Sequence, residues 1–205
     1  MAGKTKLHWE NVYENKTFEQ SSWYQREPET SLNMILSANA AKNAPVIDVG
    51  GGESYLAERL LGLGFNDITV LDISSRAIER GKKRIGKRAR KINWMVSNIL
   101  DFGASKRFDV WHDRATFHFL TTQEETNKYA KIASKLIKPN GHLIIGIFSS
   151  TGPKKCSGLD VIRYSKNSMK KVFANNFQLI NSLETIHTTP FNTEQNFIFC
   201  HFRRV

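Results

Sequence analysis

Val46-Ile47-Asp48-Val49-Gly50-Gly51-Gly52 decides how this chain is read. An apolar run broken only by Asp48 has the length of a buried strand, and the glycines behind it turn the chain sharply into a helix-like stretch at 54–62. Glycine at such a turn lets backbone come close to a ligand where a Cβ would collide. A second apolar run, Ile68-Thr-Val-Leu71, closes on Asp72, twenty residues beyond Gly52. A doubly wound fold places there an acid that accepts from the two hydroxyls of a ribose. A dinucleotide fingerprint also asks for a small residue three positions after Gly52, and Tyr55 stands there instead.

Working outward, strand and helix patterns alternate. Apolar runs at 45–49, 68–72, 92–97, 108–111 and 142–148 have strand length. Helix-like stretches lie between them at about 54–62, 74–86 and 122–137, with Ser54 and Ser74 as caps and Thr122 with Glu125 as a capping box. Such alternation predicts a doubly wound α/β fold, a mostly parallel sheet with helices on both faces. Pro139-Asn140-Gly141 should end the last of these helices and lead into the strand Leu143–Phe148. After a helix near 165–175 capped by Ser165, two extended stretches at 177–187 and 196–203 should form an antiparallel hairpin.

With 205 residues the chain suits one domain that buries its own core. No apolar stretch reaches the roughly 18 residues that span a bilayer, and the first residues resemble no secretory signal. Cys156 and Cys200 make no disulfide framework and show no zinc-ligand spacing, so no metal is expected. The expectation is a soluble cytoplasmic protein. Its net charge of +11 is concentrated between Arg76 and Lys91, where nine Lys or Arg residues face one acid, Glu79. That block is either the solvated face of a helix or a patch for nucleic acid. No aromatic residues interleave with the cations, which favours the first reading.

The Asp48-x-Gly50-x-Gly52 form resembles the first motif of the class I S-adenosylmethionine (SAM) methyltransferases. Leu71-Asp72 resembles the second, Asn98-Ile-Leu-Asp101-Phe the segment after strand three, Phe108-Asp-Val-Trp-His-Asp113 the fourth motif, and Leu136-x-x-Pro139-x-Gly141 the approach to strand five. The resemblance runs from about residue 45 to the C-terminus and implies a Rossmann-like sheet of seven strands ending in a hairpin. It divides the domain into an N-terminal lid at 1–44, a cofactor core at 45–150 and a substrate segment at 151–205. SAM is the cofactor it implies. Gly50, Gly51 and Gly52 would approach its amino-acid part and ribose, with Asp48 beneath. Asp72 with Ile73 would hold the ribose, Asn98 and Ile99 would frame the adenine, and His112 would border the methyl. Asn98 stands where many members carry an acid, and its amide carbonyl can still accept.

The N-terminal segment, His8-Trp9-x-x-x-Tyr13 and Ser22-Trp23-Tyr24-Gln25, is similar to the entry of small thiol methyltransferases. It is also similar to that of lysine methyltransferases acting on elongation factor 1A or citrate synthase. In those families it lies over the cofactor. An aromatic face attracts a sulfonium by about 0.5–2 kcal/mol, so Trp23 and Tyr24 are cofactor candidates.

Ligands in open α/β sheets sit beyond the carboxyl ends of the strands, which makes the polar residues after strand four the expected catalytic group. They are His112, Asp113 and His118, as base or as holder of the acceptor, with Arg114 beside the acceptor. Cys156, in a loop rich in Gly and Pro, Arg163 and His187 complete the substrate candidates. A cytosine-5 mechanism through Cys156 lacks the partner cysteine expected after strand four. The amide and exocyclic-amine methyltransferases of nucleic acids carry Asn or Asp, then Pro-Pro and an aromatic, where this chain has His112-Asp-Arg-Ala. The expected activity is methyl transfer to S, N or O of a small molecule. Methylation of a protein lysine is the alternative, and a SAM-fold binding protein without turnover or an RNA-associated enzyme comes third.

Overall fold

The computed structural model describes residues 2–205, with side chains from Lys4 onward. Its strands are β1 (Val46–Val49), β2 (Ile68–Asp72), β3 (Ile92–Val96), β4 (Phe108–Arg114), β5 (Ile137–Phe148), the short β6 (Lys155–Cys156) and β7 (Leu159–Asp160), β8 (Phe177–Thr188) and β9 (Glu194–Arg204). The helices are α1 (Ala2–Asn15), α2 (Glu29–Ser37), α3 (Leu56–Gly62), α4 (Ser75–Ile85), α5 (Gln123–Leu136) and α6 (Lys166–Phe173).

Seven strands form one sheet in the order β3-β2-β1-β4-β5-β9-β8. The first five are parallel, and β9 runs antiparallel to both β5 and β8. Strand order reverses between β1 and β4, so the crevice of this α/β sheet opens at their carboxyl ends. All four β1 side chains are buried, because helices cover both faces. One face packs Trp111, Leu143 and Ile145 against Tyr129, Ala133 and Phe173 of α5 and α6. The other packs Val46, Val70 and Val110 against α2, α3 and α4.

Local chemistry explains the boundaries. Ser74 Oγ accepts from Ala77 N, Thr122 and Glu125 close a reciprocal capping box, and Ser165 Oγ accepts from Ser168 N. Ser54 Oγ accepts from Leu56 N, while α3 itself starts one residue later than a Ser54 cap requires. α5 ends at Leu136, ahead of Pro139, and β5 begins at once. Residues 138–141 then form a bulge, across which Phe108 pairs with Ile137 and Val110 with His142. The expected loop around Cys156 is instead a small hairpin. Ser157 and Gly158, with φ of 49° and 81°, supply the two left-handed residues that a tight turn between β6 and β7 needs.

α1 is docked on the basic helix. Glu10 accepts from the hydroxyls of Ser74 and Ser75 and from the N–H groups of Ser75 and Arg76, which caps α4 from another element. These bonds hold the Glu10 carboxyl below its usual range despite partial burial. Arg76, Arg80, Arg84 and Arg88 recur every four residues, and each pairs with an acid. Arg76 pairs with Glu14, Arg80 and Arg84 with Glu53 and Glu58, and Arg88 with Glu58. Lys82, Lys83 and Lys87 stay exposed. Among the described residues no helix is long and apolar enough to cross a membrane.

Candidate active site

The turn after β1 is built so that only glycine serves. Gly50 has φ of +69°, and a Cβ there would overlap Thr116 Oγ1, which donates to Val49 O at 3.3 Å. Gly52 has φ of +36°, and a Cβ there would sit 2.6 Å from Asp72 Oδ2. Two cavities flank this turn. The larger, about 150 Å³, is lined by Gly50, Asp72, Ile73, Asn98 and Ile99 on one side and by Arg114–Thr116, Phe119, Leu120 and Cys156 on another. Thr5, Trp9, Tyr13 and Trp23 from the N-terminal segment form its roof. The smaller, about 50 Å³, is lined by Asp48, Gly50, Gly51, Gln25, Tyr55 and His112 among others. Gly50, Trp23 and Arg114 border both.

Asp72 is buried at the end of β2. Burial, aided by the negative charges of Asp48 and Glu10, pushes its carboxyl up to about 7, against the N–H of Ser74 bonded to Oδ1 at 2.9 Å. Asn98 caps the turn at Ile99–Asp101, its Oδ1 accepting from Leu100 N at 2.9 Å. The amide oxygen therefore keeps one lone pair for the cavity. Asp48 Oδ1 bonds His112 Nδ1 at 2.7 Å, and His112 Nε2 meets Ser31 Oγ at 2.9 Å. The Ser31 hydroxyl can donate to Nε2 or accept from it, so this chain of bonds serves either tautomer of the ring. Asp48 Oδ2 is buried without a partner and faces Gly51, where an added Cβ would collide with it.

Several expected catalytic residues do not face the larger cavity. β4 runs three residues beyond its expected end, so His112 and Asp113 lie within the sheet, and strand alternation sends them to opposite faces. His112 ties β1 to α2 and reaches only the smaller cavity. Asp113 lines neither. Its Oδ1 accepts from Thr116 N and Phe117 N, and its Oδ2 from Tyr129 OH at 2.7 Å. Burial raises its carboxyl to about 6, and all three bonds oppose that rise. It anchors the turn that carries Arg114–Leu120. His118 is fully buried between Phe119 and Phe148, lines no cavity, and is pushed down to about 3 by desolvation and then by Arg114.

Tyr24, expected over the cofactor with Trp23, points the other way, into a cluster with Phe18 and Tyr55. Residues 21–24 form a turn closed by Tyr24 N donating to Ser21 O at 3.0 Å, and Trp23 takes its inner side. Arg163 is exposed, donates to Gly152 O at 3.3 Å and lines no cavity. His187 lies outside the cavity too. Its Nε2 donates to Ser22 O at 2.8 Å, which tethers the Trp23 segment to β8, and burial lowers it to about 4. Cys156 does line the larger cavity, as a thiol that burial pushes up to about 11. A nucleophilic thiolate is thereby disfavoured.

Trp9, Tyr13 and Gln25 line the cavities from the segment that was expected over the cofactor, and Phe119 joins them from the turn after β4. Trp9 packs edge-on against Trp23 and Phe119 at 5.8 and 5.2 Å.

These residues fit SAM. A free carboxylate stands at the ribose position, a glycine cradle has no room for a Cβ, an unpartnered Asp48 oxygen borders the cradle, and an aromatic face sits between the cavities. A family model described as a methyltransferase domain matches residues 40–189. The chain belongs to this family; it is a SAM-dependent methyltransferase of the class I fold. EEF1A lysine methyltransferase 2 of Danio rerio is 26% identical over 199 residues, covering 88% of this chain and 78% of that protein. Nodulation protein S of Rhizobium tropici is 26% identical over 113 residues, covering 55% of this chain and 47% of that protein. Among solved structures, the N-methyltransferase NodS from Bradyrhizobium japonicum WM9 bound to S-adenosyl-l-homocysteine (SAH) superposes with a TM-score of 0.69. It is 17% identical and covers 95% of this chain and 98% of that one, a likeness of fold.

Proposed function

We propose that this chain methylates a small-molecule acceptor at S, N or O within the larger cavity. The observation that carries the reading is the roof: Trp9, Tyr13 and Trp23 cover the cavity over Gly50 and Asp72 with aromatic rings. Asp72 would accept from the ribose hydroxyls, residues 98–99 would frame the adenine, and Gly50, Gly51 and Asp48 would hold the amino-acid end. SAM, when bound, supplies an electrophilic methyl on a sulfonium. The protein's part is positioning: Trp23 offers its π-face to positive charge, and the roof excludes water.

Among the described residues that line the larger cavity, Cys156 keeps its proton, Asp72 would serve the ribose, and Glu125 Oε2 accepts from Thr121 N and from the Thr122 N–H and hydroxyl. An acceptor that arrives with a free lone pair, or loses its proton to solvent, suits such a site.

Protein lysine methylation is the second reading, favoured by the long match to EEF1A lysine methyltransferase 2. Incubation of cell extract with the enzyme and methyl-tritiated SAM separates them. Label in the small-molecule fraction supports the proposal; label confined to protein overturns it.

A further inference from the structure

The larger cavity contains a cation with nothing to bind. Arg114, the last residue of β4, turns its guanidinium between the two cavities. Nη1 donates to Trp23 O at 3.0 Å, and the group lies over the Phe197 ring, 4.9 Å from its centroid. Nε and Nη2 are both shielded from solvent, and neither makes a hydrogen bond. Those two nitrogens form one edge of the planar fork, the edge that matches the two oxygens of a carboxylate. The surrounding groups compensate the charge only in part. Cys156 is a protonated thiol, His118 and His187 are held low by burial, and Asp48, which acts on the guanidinium through space, makes no hydrogen bond with it. Desolvation lowers even the guanidinium to about 10. Leaving two charged donors unpaired in a dry site is costly, and a ligand anion relieves that cost.

Resting on the small-molecule reading, we infer that the methyl acceptor carries a carboxylate, held bidentately by Nε and Nη2 of Arg114. On one side the fork is bordered by Cys156, His187 and Phe197, all from the chain after residue 150, and the ribose and adenine positions lie at Asp72 and Asn98 across the cavity; on the other side lie Gly50 and Asp48, so the test below separates the acceptor from the amino-acid end of the cofactor. An anion there faces two positive charges, the guanidinium and the sulfonium. A lysine ammonium would face the same two charges and be repelled.

The probe is phenylacetate, whose ring suits Trp9 and Phe119, titrated into the SAH-saturated protein with tryptophan fluorescence as readout. Phenylacetamide and phenethylamine are its uncharged and cationic counterparts. The wild type is expected to bind phenylacetate at least tenfold more tightly than either counterpart. Arg114→Gln should remove that preference. Equal binding of the three probes by the wild type overturns the inference even if the variant does not fold. A tenfold loss of SAH affinity in Arg114→Gln, with decarboxylated SAM unaffected, also overturns it by giving the fork to the cofactor. Labelled small molecules in the extract experiment, together with either result, leave the small-molecule reading standing and refute only the carboxylate.

Discussion

Asp72 ties cofactor affinity to pH. Its carboxyl is pushed up to about 7 in the folded chain, against about 3.9 in an unfolded one. Between those values the native protein holds a proton that the unfolded chain has released. Stability therefore falls as pH rises through the window, by about 1.4 kcal/mol per pH unit for this group. In the proposed binding mode the ribose hydroxyls would donate to the ionised carboxylate, so ligand binding would draw on the deprotonated form. The apparent dissociation constant then scales as one plus ten to the power of pKa minus pH. At about pH 8 nearly every molecule is competent; at about pH 5.5 roughly one in thirty is, a loss of about 2 kcal/mol. Calorimetric titration of SAH across this range should show affinity falling about thirtyfold toward acid. Asp72→Asn should bind more weakly at pH 8 by about 1–3 kcal/mol, and its affinity should be nearly flat with pH. An equal slope in the variant and the wild type would refute the ribose assignment.

Three further outcomes follow from the geometry. Gly50→Ala should abolish SAH binding, because the left-handed backbone costs about 1–2 kcal/mol before Thr116 is displaced; binding within threefold of wild type by calorimetry contradicts that packing. Asp113→Asn should lower the urea-unfolding free energy by about 1–3 kcal/mol and leave SAH affinity unchanged, whereas a folded variant with wild-type stability and no turnover would restore Asp113 as a catalytic base. Glu10→Ala removes an external cap from α4 and should cost about 1–2 kcal/mol in thermal or urea melts; an unchanged midpoint would mean that α1 is not held there in solution.

Much of the fold was legible because each signal was local. Ser74, Thr122 with Glu125, and Ser165 cap helices through atoms three residues away, and the β1 glycines mark a turn that no other residue fits. The cofactor side inherits that legibility, since Asp72 and Asn98 sit at strand ends. The acceptor side does not. β4 extends three residues past its apolar run because His112 and Asp113 find partners on Ser31 and Tyr129, 81 and 16 residues away in sequence. No local pattern announces such partners. The same is true of Trp23 against Tyr24, where a turn at residues 21–24 decides which ring faces inward, and of Arg114 against Arg163, one shielded and one exposed. His187 reads as a wall of the substrate site and turns out to be a tether for Ser22.

A crystal structure with SAH bound tests the central claim most directly. The account predicts the ribose hydroxyls on Asp72, the adenine beside Asn98 and Ile99, and the sulfur turned toward Trp23 and the space before Arg114. An SAH molecule lodged away from Gly50–Gly52, or a sulfur facing bulk solvent with the roof displaced, would contradict it.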